Sequence, residues 1–290
     1  MAQINNMHVD EAYSQMFVEN LRQDNFLVEG VTYTSNFEKG DVKAGIVWYH
    51  KLARNTVGSE AVGGDYTHTE TSDDLVPVYI TNAFRNSKKL RGVVASQIKA
   101  DYKDQVATEQ AKDVKLGEDK TAIAGLVYGG TVSQDTADID DTNVIEKIID
   151  AKKDLKRKNA TPNVLLVSPE VEAILTTVHL TKSIFTPVTN DDLVKAGVLG
   201  KYLGMYVFSR NELGDSANTA VVYRDSQARS VDLSTVEFVM YDSNYFAVNS
   251  SFEEARIADS NEFAGSYANI ERNEGFGVLN ADAVLVKRNA

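Results

Sequence analysis

Residues 143–209 place a helix pattern, a strand pattern, a second helix pattern and another strand in close succession, a spacing that suits a layered α/β unit. In "NVIEKIIDAKKDLKRKNATPNVLLVSPEVEAILTT", Val144, Ile148, Ala151 and Leu155 recur at helical spacing, and Asn143 with Glu146 sets up a capping box. Val164–Val167 then reads as a short strand. Ser168 follows as the cap of a second helix, with Pro169 in the first turn, where a missing N–H costs nothing. The unit closes on "GVLGKYLGMYVFSRNEL". Its Gly197, Gly200 and Gly204 predict tight turns before the strand Met205–Phe208, and Lys201 is expected as an exposed turn residue.

Around this unit the patterns are more extended. "AGIVWYHKL" (44–52) and "DDLVPVYIT" (73–81) read as the two strands of a hairpin. They are joined by about twenty polar, glycine-bearing residues, a connection long enough to imply a function or disorder. Next, Leu90, Val94, Ile98, Tyr102 and Val106 recur every fourth residue, predicting one apolar stripe on a long helix that lies across a sheet. Residues 1–40 carry scattered apolar positions, with a helix plausible over 10–22. This lead-in is either partly disordered or ordered by lying on something else. The last sixty residues return to short apolar runs separated by turns, expected to join the long helix in one domain of discontinuous segments.

Composition and motifs exclude several function classes. A net charge of −12 argues against a protein that coats nucleic acid, because neutralising phosphates takes a basic face. The absence of cysteine removes disulfides, thiolate metal sites and cysteine nucleophiles together. No apolar run is long enough for a membrane span and the first ten residues lack a signal-peptide pattern, so a cytosolic protein, or one released by lysis, is expected. His8, His50, His68 and His179 are isolated in sequence, and only His50 and His68 could meet, across the hairpin. No zinc-protease, nucleophile-elbow or P-loop spacing occurs, and "GLVYGG" (125–130) lacks the lysine that phosphate binding requires. No catalytic, cofactor-binding or metal-binding residue is therefore assigned. The one dense basic run is Lys152, Lys153, Lys156, Arg157 and Lys158. It either complements the dipole at a helix C-terminus or forms a contact patch for a subunit or for packaged nucleic acid.

The helix–strand–Ser-Pro–helix series and its glycine-punctuated sequel, with the terminal "NIERNEGFGVLNADAVLVK", resemble the major capsid proteins of tailed bacteriophages, of the HK-ninety-seven type. The resemblance rests on order and spacing rather than on one diagnostic motif. It implies an α+β fold with an N-terminal arm (1–40), an extended E-loop hairpin (41–82), a P-domain with a spine helix (83–128), an α/β A-domain (129–229) and return strands completing the P-domain (230–290). Gly197, Gly200 and Gly204 would then turn the chain inside the A-domain. Val57, Gly58, Glu60, Gly63, Asp65 and Tyr66 would contact a neighbouring subunit.

The implied function is self-assembly into hexamers and pentamers of an icosahedral head that encloses phage DNA without sequence-specific binding. It implies no catalysis, no cofactor and no membrane. No acidic helical region of the kind that carries a fused scaffold precedes the arm, so a separate scaffolding protein is expected, with a portal and decoration proteins as further partners. The implied location is the virion, assembled in the host cytoplasm. An encapsulin, a cellular shell with the same fold, is the alternative; the long arm favours the phage reading. An α/β hydrolase or nucleotide-binding enzyme is the remote one.

Overall fold

The structure, a computed structural model, describes residues 26–34, 38–39, 45–52, 73–91, 100–190, 193–194, 196–214, 219–224, 227–259, 261–262 and 265–289. Strands β1 (Glu38–Lys39), β2 (Ile46–Leu52) and β3 (Asp73–Tyr79) form an antiparallel sheet, followed by β4 (Asn82–Arg91) and the 30-residue helix α1 (Ala100–Gly129). The middle of the chain contains β5 (Thr131–Val132), α2 (Val144–Arg157), β6 (Val164–Val167), α3 (Pro169–Lys182), β7 (Val198–Tyr202) and β8 (Met205–Ser209). After these come the ribbon β9 (Thr219–Arg224) and β10 (Gln227–Asp232), then β11 (Val236–Tyr241), β12 (Phe246–Asp259), β13 (Gly265–Val278) and β14 (Val284–Arg288).

Every residue of β6 is buried, because this strand lies inside a sheet covered on both faces. The six strands run in the order β5-β14-β11-β6-β8-β7, parallel at β5/β14 and β6/β8. Val164 and Leu166 face one layer, where they meet Ala122, Ile123 and Leu126 of α1. Leu165 and Val167 face the other layer, built from Val144, Ile148, Ala151 and Leu155 of α2 and Val171, Leu175 and Val178 of α3. The period-2 alternation of the strands therefore sets which helix lies on which face.

A second sheet, β12-β13-β4, carries the first half of α1: Val106, Ala107, Ala111 and Val114 pack on Ala255, Ala268 and Ile270. Thus α1 spans two sheets, packing on β12-β13-β4 at one end and joining the core of the six-stranded sheet, beside the β9–β10 ribbon, at the other. The base of the β2–β3 hairpin also belongs to the subunit core, since Val47, Tyr49 and Val78 pack with Ala247 and Leu279. There Tyr49 Oη donates to Asn249 Oδ1 at 2.9 Å.

The hairpin pairing, α2, β6, α3 and β8 lie where the sequence patterns place them. Four expectations are corrected. First, Leu90 belongs to β4, a strand paired with β13 throughout, and the described helix begins at Ala100. Second, Asn143 makes no side-chain cap bond to α2; Asp140 Oδ1 instead accepts from the amides of Thr142 and Asn143 and fixes the turn into the helix. Third, residues 230–290 do not act as one group of return strands, because β11 and β14 pair within the six-stranded sheet while β12 and β13 pair with β4. Fourth, the lead-in makes core contacts of its own: Phe26 is fully buried, and Thr34 N donates to Phe246 O at 2.8 Å. The helix expected over 10–22 lies outside the described residues.

Candidate assembly surfaces

The β7–β8 hairpin turns on two residues only. Tyr202 pairs with Met205, and between them Leu203 (φ 51°) and Gly204 (φ 83°) both adopt positive φ, as a type I′ turn requires. Gly197 (φ 77°) precedes β7, and Gly200 lies inside it beside a register shift, where Phe185 Cβ and Thr186 O stand 3.1 and 3.3 Å from a would-be Cβ. Gly204 thus forms the hairpin turn, while Gly197, whose amide donates to Val194 O at 3.1 Å, closes a separate turn before β7. Lys201 is not a turn residue either: it sits in β7, exchanges backbone bonds with Thr186, and holds its ammonium 4.3 Å from the Tyr206 ring centroid.

The basic run meets this turn. Lys152 Nζ donates to the carbonyl oxygen of Leu203, so α2 holds the hairpin from beneath. Burial, and after it the nearby Lys156, pushes the Lys152 ammonium below the usual lysine range. Most of the remaining charge is answered locally, by Asp150 for Lys153, Asp154 for Arg157, and Asp282 for Lys158 at 2.9 Å. Lys152 and Lys156 have no ion-pair partner among the described residues.

Apolar side chains that sequence patterns did not single out are exposed on this unit. Leu203 is 43% exposed at the turn, Leu199 38% at the register shift, and Leu180 82% near the end of α3, each a large hydrocarbon surface for a partner to cover. Single leucines among polar residues give no periodic signal, so the folded chain was needed to find them. On the other sheet, the outer face of β2–β3 presents Trp48 and Leu75, 37% and 44% exposed. Val57, Gly58, Glu60, Gly63, Asp65 and Tyr66 lie outside the described residues.

No three metal-ligating side chains gather among the described residues. His179 serves the fold: its Nδ1 accepts from the Phe185 amide at 3.2 Å, and its ring packs tilted against that of Phe185, centroids 5.1 Å apart. His50 pairs across the hairpin with Leu75, and His68 lies outside the described residues. "GLVYGG" ends α1, and a Cβ on Gly129 would stand 2.7 Å from Val278 Cβ, so close packing explains that glycine.

No family model and no curated protein matches the chain. Among solved structures, it is similar to a chain of Mycobacterium phage Che8 at 18% identity and a TM-score of 0.60, covering 87% of this chain and 89% of that one. A capsid structure of the cyanophage P-SCSP1u matches at 10% identity and a TM-score of 0.61, covering 92% and 87%. A virus-like particle from Pyrococcus furiosus matches at 10% identity and a TM-score of 0.58, covering 97% and 99%. The chain therefore has the α+β capsid fold of the HK-ninety-seven type that its sequence pattern implies, over almost its whole length.

Proposed function

We propose that this protein is the major capsid protein of a tailed phage, assembling into hexamers and pentamers of an icosahedral shell around DNA. The observation that carries the reading is fold agreement across nearly all of both chains with phage capsid structures, rather than with one domain of a larger enzyme. In this reading residues 1–40 form an arm and 41–82 an extended loop. The three-stranded sheet with α1 is the P-domain, and the six-stranded sheet with α2 and α3, β11 and β14 included, is the A-domain. The loop residues Val57, Gly58, Glu60, Gly63, Asp65 and Tyr66 lie across a neighbouring subunit. Its function is geometric, with no turnover. A net charge of −12 suits a wall that surrounds DNA without gripping it.

The second reading, an encapsulin-type shell, draws on the likeness to the Pyrococcus particle, which covers 97% of this chain. Sedimentation of the protein expressed alone and with a candidate phage scaffolding protein separates the two. The phage reading predicts closed particles of uniform size only with the scaffold. Uniform closed particles from the chain alone, loaded with a host enzyme, would support the encapsulin instead.

A further inference from the structure

Helix α1 carries charge where its buried stripe would otherwise be apolar. Val114 and Ala122 are buried toward the sheets, and Glu118, one turn from each, is 0% exposed. Facing it, the inward positions of β13 read Ala268, Ile270, Arg272, Glu274 and Phe276, so an apolar row is interrupted at the same level. Arg272 reaches Glu118 Oε1 at 3.4 Å and Glu274 Oε1 at 2.8 Å. Two buried carboxyls share one guanidinium.

Further negative charge gathers around this pair. On β12, Glu253 stands opposite Arg272 and adds negative charge. From the 26–34 segment, Tyr33 faces Glu274 and Arg272, with Glu29 beside it. The neighbouring Asp119, with Arg210 at 3.1 Å, Lys115 and Glu212 around it, adds negative charge beside Glu118, and burial pushes its own carboxyl up to about 8. Glu274 Oε2 makes no hydrogen bond among the described residues.

We propose that Glu118 and Glu274 hold one proton between them near neutral pH, and that its loss as pH rises loosens α1 from β13. The junction between the two sheets is then pH-sensitive. Burial disfavours both carboxylates first; for Glu118 the charge of Glu274 adds to this, and Arg272 offsets only part. Both groups are raised above their unfolded range. The native state thus keeps a proton that the unfolded chain gives up at about pH 4 to 5, and stability falls as pH rises from there through the neutral range.

The test uses the unassembled full-length subunit, unfolded by denaturant between pH 5 and pH 9. The wild-type unfolding constant should rise by at least about tenfold more over this range than that of Glu118→Gln, which keeps the shape and leaves Arg272 paired with Glu274. Infrared spectra at neutral pH supply the second readout. Because the proton is shared and Asp119 is raised as well, the readout is lost intensity: the protonated-carboxyl band should fall by the same one-proton amount in Glu118→Gln and in Glu274→Gln, each freeing the other group to ionise against Arg272. Parallel pH profiles of wild type and Glu118→Gln would overturn the proposal. So would a band whose intensity either substitution leaves unchanged, and if neither variant folds, a wild-type spectrum without the band decides against it.

Discussion

Gly204 has a φ of 83° and no heavy atom within 4 Å of where a Cβ would stand, so only backbone conformation reserves the position for glycine. Gly277 is fixed by the opposite cause: an added Cβ would come within 2.5 Å of Val78 Cγ2, where the hairpin base crosses β13. Gly204→Val should therefore cost about 1 to 3 kcal/mol through strain alone. Lys201→Ala removes a stacked ammonium over Tyr206 and should cost about 0.5 to 1 kcal/mol. Denaturant unfolding of both variants checks the order; a Lys201→Ala loss equal to that of Gly204→Val would contradict the assignment of the turn. The turn was legible in the sequence because Gly204 directly precedes an apolar strand. The Lys152 contact that supports it was not, since the lysine and the Leu203 carbonyl lie 51 residues apart.

At the scale of elements, the hairpin divides into two parts. Its base is held by Val47, Tyr49 and Val78 in the subunit core, whereas the proposed role of its tip is contact with a neighbour. Replacing Val57–Asp65 with a short Gly-Ser turn should leave helix content and melting temperature nearly unchanged and abolish closed particles, as read by circular dichroism and electron microscopy. A loss of about 1 to 2 kcal/mol per subunit, the scale of one interface side chain, is repeated at every copy. Normal particles from the shortened chain would mean that the tip has no assembly role.

Elements with a one-sided apolar face were readable from sequence: the buried residues of α2 are Val144, Ile148, Ala151 and Leu155, the positions that its period selects. Strand β4 was not, because much of its inward face is polar. Asn86 Nδ2 donates to Asp113 at 2.9 Å and Gln110 Nε2 to Asn86 Oδ1 at 3.3 Å, so strand and helix meet partly through amides that leave no hydrophobic period. The reach of β11 and β14 into the six-stranded sheet was hidden for another reason. Apolar runs give strands, but their pairing partners lie far away in the chain.

On the scale of the whole molecule, α1 packs on both sheets, which also meet directly where the Tyr241 and Phe246 rings pack edge to face. A net charge of −12 per subunit opposes close association at low ionic strength, so assembly rates should rise with added salt while the monomer fold is unaffected. Light scattering at several salt concentrations reads that dependence, and slower assembly at higher salt would point to attractive ion pairs as the main contact. The most direct measurement is cryo-electron microscopy of the protein co-expressed with a candidate phage scaffolding protein. It should show closed icosahedral shells of hexamers and pentamers, with the segment between β2 and β3 of each subunit lying across its neighbour. A population of monomers or small open oligomers, with and without the scaffold, would contradict the proposed shell function.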